Sequence, residues 1–121
     1  MGHETEELPR SSWESALQSL SQEHDGDLVT IETPALDLGD QLEAERLPLA
    51  YLEYDRHDDA VSAAVGGRDG RYPVVLRHVI EHPSKVFVAT TGPNETLALE
   101  VVAADGVKTV ITLHRRAALP A

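Results

Sequence analysis

Alternation of apolar and polar positions dominates this chain, and it is clearest in the last third. Residues 96–103 and 107–115 are strand-like runs joined by Ala104-Asp105-Gly106. Asp-Gly between β-branched runs marks a hairpin, because glycine readily takes the positive φ that tight turns demand. Upstream, residues 28–33, 49–54, 60–65 and 85–90 also read as strands. Pro34 limits the first of these, and the polar loop Asp55-Arg56-His57-Asp58-Asp59 makes a hairpin of the second and third. Helical spacing stands out near the start, where Trp13, Ala16, Leu17 and Leu20 form one apolar stripe. Ser11 and Glu14 match a capping box for that helix, and Asp25-Gly26-Asp27 ends it with Gly26 in the left-handed position. One stripe means one buried face, so the helix is expected to lie on a sheet.

Two segments are ambiguous by pattern. Residues 42–47 favour a helix intrinsically, yet Leu42, Ala44 and Arg46 alternate with charged neighbours. Gly39 and Pro48 crowd the segment too closely for a stable helix, which favours a strand. In residues 73–82, Pro73 followed by Val75, Leu76 and Val79 allows two helical turns. A strand with Leu76, His78 and Ile80 on one face fits equally well. The stretch 66–71, with Gly66, Gly67 and Gly70, reads as a mobile loop, and 91–95 as a turn.

The expected architecture is α+β: one N-terminal helix packed on an antiparallel meander of about six or seven strands, curled or partly closed to hide its edges. Residues 1–10 are expected to be a flexible N-terminus and 11–121 a single domain, since 121 residues can bury one core. Only Trp13, Tyr51, Tyr54, Tyr72 and Phe87 are aromatic, so aliphatic residues must build most of that core.

Charge narrows the partners. Twenty-one acids against ten bases give a net charge of −11, which repels phosphate backbones and anionic lipid. Neither nucleic acid nor membrane is therefore an expected partner. No apolar run exceeds four residues, far below the roughly 20 that span a bilayer as a helix. The acidic opening lacks the pattern of a signal peptide, and the chain has no cysteine, which excludes disulfides and thiolate chemistry. A cytoplasmic location is expected.

Candidate chemistry is sparse. His78-Val79-Ile80-Glu81-His82 matches the H-x-x-E-H pattern of inverted zinc proteases, in which a helix sets both imidazoles on one face. Pro83 follows the second histidine directly. On a strand His78 and His82 would stand about 13 Å apart. No metal site is expected, and the histidines read as two partly exposed residues. Asp55, Asp58 and Asp59 lack the alternate spacing and glycine of a calcium loop. Gly66, Gly67 and Gly70 lack the Lys-Ser/Thr of a phosphate loop. Asn94-Glu95-Thr96 is a glycosylation sequon in letters only, and Arg115-Arg116 is too small a basic patch to bind nucleic acid. No cofactor and no catalytic residue is assigned.

Several runs together resemble a small bacterial family known as domain of unknown function 5335. They are residues 42–49, Leu-Glu-Ala-Glu-Arg-Leu-Pro-Leu, then Tyr54-Asp55-x-x-Asp58-Asp59 and Gly66-Gly67. Downstream come His78-x-Ile80-x-x-Pro83-x-x-Val86-x-Val88, Leu99-Glu100-Val101-Val102-x-Ala104-Asp105-Gly106 and Ala118-Leu119-Pro120. The likeness covers roughly residues 11–120, including Trp13, and departs around residues 68–77. The resemblance implies no reaction, cofactor or catalytic residue.

The expected function is a small non-catalytic binding or regulatory module with a protein partner. The alternative is a small-ligand or enzymatic pocket roofed by loop 66–73, between Gly66 and Pro73, and lined by His78 or Tyr72. A homodimer is expected, formed through an open edge at the final strand, residues 107–113, with the apolar tail 117–121 buried in the interface.

Overall fold

A computed structural model describes residues 4–35, 39–66, 74–90 and 97–114. The chain runs β1 (Glu4–Leu8), a 3-10 turn (Arg10–Ser12), α1 (Trp13–Glu23), β2 (Leu28–Ala35), β3 (Gly39–Asp55), β4 (Ala60–Gly66), β5 (Val74–Glu81), β6 (Pro83–Thr90), β7 (Leu97–Ala103) and β8 (Lys108–His114). All eight strands join one antiparallel sheet in the order β1-β6-β7-β8-β2-β3-β4-β5. The α+β expectation therefore holds, with eight strands instead of six or seven, and with a sheet that does not close.

The additional strand comes from the N-terminus. Residues 1–10 were expected to be a flexible lead-in, but Glu4–Leu8 pairs with β6 from Glu4↔Thr90 to Leu8↔Val86. Its acids alternate too poorly with apolar residues to announce a strand, and tertiary pairing overrides that weak local signal. The sheet is also not a simple meander. Two meanders, β2-β3-β4-β5 and β6-β7-β8, meet where β8 pairs with β2. The final strand is thus central, flanked by β7 and β2, and cannot be the open edge expected for a dimer. The tail 117–121 lies outside the described residues.

Pro34, expected to limit its strand, does not end it, and Pro48, which argued against a helix, lies within a strand. Pro34 pairs with Asp40, and Pro48 with Leu28 inside the 17-residue β3. Both ambiguous segments are strands: 42–47 belongs to β3 and 74–81 is β5. In β5 His78 is half-buried and Ile80 buried, while Arg77, Val79 and Glu81 are exposed, matching the strand alternative.

Long β3 explains how one sheet encloses a core. Its first half pairs with β2 and its second with β4, with register shifts at Val29/Ile31, Ile31/Glu32 and Leu49/Tyr51. Such irregularities bend a strand and increase its twist. A single residue, His82, separates β5 at one end of the sheet from β6 near the other. The sheet must curl for that connection to be possible. The curl brings Ile31, Leu49, Leu52, Val61, Val86, Leu99, Ile111 and Leu113 into one buried cluster.

Helix α1 supplies Trp13 and Leu17 to the same cluster, with Leu20 packed at its margin, as the apolar stripe predicts. The capping box is absent: neither Ser12, which holds the N-cap position, nor the Arg10–Ser12 turn makes a side-chain cap bond. Ser12 Oγ instead donates to the Pro9 carbonyl at 2.9 Å, because the 3-10 turn places Ser11 one position too early. The far end follows the sequence. Gly26 has φ 84° and its N–H reaches the Leu49 carbonyl, while the Leu49 N–H returns to Asp27. Ser21 Oγ accepts the Leu52 N–H at 3.1 Å, fastening the helix to β3. No helix among the described residues is long and apolar enough to cross a membrane.

Candidate functional site

Three turns converge at one end of the sheet: the β3–β4 loop, the bend at His82 and the β7–β8 turn. The His82 N–H donates to the Asp59 carbonyl, and the Ala104 N–H donates to the His82 carbonyl, each at 2.8 Å. Among the described residues, Asp59 and His82 are the non-glycine residues with positive φ, at 52° and 53°. Such conformations cost about 1–3 kcal/mol each and persist where surroundings enforce them. Asp and His tolerate the left-handed region better than most residues.

Their side chains continue the contact. His82 Nδ1 lies 3.3 Å from Asp59 Oδ2. The other carboxylate oxygen, Oδ1, accepts the Tyr54 hydroxyl at 2.7 Å and Arg10 Nη1 at 3.3 Å. Arg10 Nη1 also reaches the Tyr54 hydroxyl at 3.3 Å, and its Nη2 donates to the Pro83 carbonyl at 3.0 Å. The guanidinium carbon sits 4.4 Å from the Trp13 ring centroid, a cation–π distance. Trp13 in turn meets Tyr54 edge-on at 5.2 Å and donates Nε1–H to the Leu8 carbonyl at 2.9 Å. Residues from the lead-in, α1, the β3–β4 hairpin and the β5–β6 bend are thereby bound into one knot.

The electrostatics follow from this geometry. Burial pushes the Tyr54 phenol above its ordinary pKa, and the Asp59 hydrogen bond and charge add to that; Arg10 opposes it. Asp59 is held below its ordinary value, first by the Tyr54 hydrogen bond and then by His82 and Arg10. A neutral phenol therefore donates to an ionised carboxylate. Asp55 Oδ1 accepts the His57 and Asp58 N–H groups at 2.8 and 3.2 Å. Those bonds make the acidic loop a turn capped by the Asp55 side chain.

The histidines of H-x-x-E-H do not assemble. Val74–Glu81 is a strand, so His78 and His82 lack the shared helical face, and His82 turns to Asp59. Among the described residues no group of three potential ligands converges on a point. Of the pocket expected beside His78, residues 67–73, including Tyr72, lie outside the described residues, as do Asn94-Glu95-Thr96 and Arg115-Arg116.

A concavity lies elsewhere, between α1 and the second half of β3. It encloses about 710 Å³ and is lined by Glu14, Gln18 and Gln22 from the helix and Tyr51, Glu53 and Tyr54 from the strand. Tyr54 links this groove to the knot. Arg56 approaches Glu14 at 3.7 Å on an exposed rim. Nothing local marks Arg10, Tyr54, Asp59 and His82 as a set, since they are up to 72 positions apart. One signal was available: a histidine directly before Pro83 at a boundary between strands, where the chain has to turn.

The fold and this site define an acidic α+β protein with a curled open sheet, a single α-helix among the described residues and a polar knot at the seam. The chain belongs to the family of unknown function DUF5335, whose model matches residues 4–121. It is similar to an uncharacterised protein of Aquifex aeolicus (strain VF5), 28% identical over 116 residues, covering 96% of this chain and 97% of the relative. No solved structure matches.

Proposed function

We propose that this chain is a non-catalytic binding or regulatory module of the cytoplasm, and that the α1–β3 groove receives a basic segment of a protein partner. The observation that carries this reading is the groove itself, a concavity with Glu14 on the helix wall and Glu53 on the strand wall, where Tyr51 is half-buried. Tyrosine offers apolar area with a polar tip at low entropic cost, which suits partner recognition. A net charge of −11 steers cationic segments toward such a surface. The neighbouring knot supports a non-catalytic role. Both Asp59 oxygens are engaged by Tyr54, Arg10 and His82, and Arg10 is spent on Asp59, Tyr54, Pro83 and Trp13. A carboxylate so occupied is a poor general base. The absence of cysteine suits a reducing compartment.

The second reading, a small-ligand or enzymatic pocket, is favoured by the groove volume, which falls in the range of ligand sites. Its position at α1 and β3, away from His78, is where such a ligand would be sought. Calorimetric titration with an arginine-rich octapeptide separates the two. Saturable binding that weakens with salt and is lost in Glu53→Lys supports the peptide reading. No saturable binding, or binding indifferent to Glu53→Lys, overturns it.

A further inference from the structure

We infer that two copies of this chain join through their β5 strands, edge to edge and antiparallel, with Val79 of each copy on the two-fold axis. The outer strands of the sheet are β1 and β5, and each presents a row of backbone groups that an added strand satisfies. The two edges differ in what they allow. Glutamate occupies three of the five positions of β1, at Glu4, Glu6 and Glu7. A two-fold pairing of β1 with itself centred on Glu6 sets that acid against its own copy, and like charges directly opposite each other destabilise a ladder. This edge is blunted by charge.

β5 is self-complementary instead. Its exposed face carries Arg77, Val79 and Glu81 in succession. Neither Arg77 nor Glu81 has an ion-pair partner among the described residues. Val79 is 41% exposed, and with Val107 it is one of two large apolar residues so exposed among the described residues. A continuous sheet keeps the outer face of one copy level with that of the other, so outer residues must oppose outer residues. With Val79 facing Val79 across the axis, Arg77 faces Glu81 of the second copy and Glu81 faces its Arg77. Two opposite-charge pairs then flank an apolar pair, each at the cross-strand distance where such pairs stabilise sheets. Centring the axis on Arg77 or on Glu81 would place like charges in opposition. An axis on His78 or Ile80 would set Val79 against Arg77 or Glu81 and leave the other charge unmatched, so the Val79-centred register is the one that pairs both charges. The interface is isologous and closes at two copies, whereas a β5-to-β1 contact would be head-to-tail and would propagate.

Static light scattering across a concentration series, combined with charge reversal, tests the assignment. The natural chain is expected at twice its 13.2 kDa mass. Arg77→Glu and Glu81→Arg are each expected to return it to monomer, and the double reversal R77E/E81R to restore the dimer. Loss in Glu81→Arg cannot be put down to overall repulsion, because that change lowers the net charge. A second measurement does not depend on dissociation. The chain has no cysteine, and residues opposed across an antiparallel ladder have Cα atoms about 4.5–5.5 Å apart, within disulfide reach. Val79→Cys is expected to oxidise to a covalent dimer, and Val107→Cys, on the exposed β7–β8 turn, is not. A natural chain that stays monomeric at high concentration, a dimer indifferent to both single reversals, or equal cross-linking of the two cysteine variants would each overturn the proposal.

Discussion

Replacing Tyr54 by phenylalanine isolates one bond of the polar knot while leaving the ring in place. Tyr54 is 5% exposed and its ring meets Trp13 edge-on, so the apolar packing survives. What goes is the 2.7 Å hydrogen bond to Asp59 and the 3.3 Å contact from Arg10. A hydrogen bond to a charged acceptor contributes about 1.5–3 kcal/mol. The Asp59 side chain is 35% exposed, so water replaces part of the lost donor and the expected loss falls to about 1–2 kcal/mol. The pH dependence follows from Asp59. Its folded pKa lies below the unfolded value, so its contribution is complete above an unfolded pKa of about 3.9 and disappears as pH falls through the lower folded value. The Tyr54 hydrogen bond is the foremost cause of that depression. The gap between natural chain and variant is therefore expected to be widest near neutrality and to shrink in acid. Urea unfolding followed by circular dichroism from neutral to acid pH measures both quantities. A loss under about 0.5 kcal/mol at pH 7, or a gap that persists unchanged in acid, would refute the reasoning.

Two further substitutions probe the frame around the knot. Trp13→Ala removes an indole that is 1% exposed and is expected to cost about 3–5 kcal/mol in equilibrium unfolding; a loss under about 1 kcal/mol would mean the ring contributes little to the core. Gly106→Ala adds a Cβ that meets no atom within 4 Å at a residue with φ +91°. Its cost is therefore backbone strain alone, about 1–2 kcal/mol, and a neutral result in thermal unfolding would show that the β7–β8 turn readjusts freely.

Local pattern carried the strands and the helix but not their arrangement. The hairpins at residues 55–59 and 104–106 were legible because turn chemistry and alternation agree there. The helical stripe was legible because Trp13 and Leu17 face the core. The capping box misled, since Ser11-x-x-Glu14 satisfies the spacing while the preceding Pro9 starts a 3-10 turn that shifts the N-cap to Ser12. β1 was missed because Glu4–Leu8 gains its strand form from pairing with β6 and little from its own residues. The central place of β8 was missed because non-local pairing leaves no trace in local alternation. The knot is the extreme case. Arg10 and Pro83 touch across 73 positions, and nothing in either neighbourhood announces the other.

That knot stands where the open sheet would otherwise gape. A closed barrel seals its core with a continuous ladder, but here no ladder joins β5 to β1 or β6, and the chain passes between the two ends through His82 alone. Glycine would adopt φ 53° at lower cost. Histidine at that bend instead reaches Asp59 with its ring while its N–H donates to the Asp59 carbonyl, so each strained residue holds the other. Arg10 then fixes the seam from the lead-in side through the Pro83 carbonyl. Side chains thus hold together what a backbone ladder would hold in a barrel. The same economy leaves the outer edge of β5 free, which is the edge that the self-complementary Arg77, Val79 and Glu81 occupy.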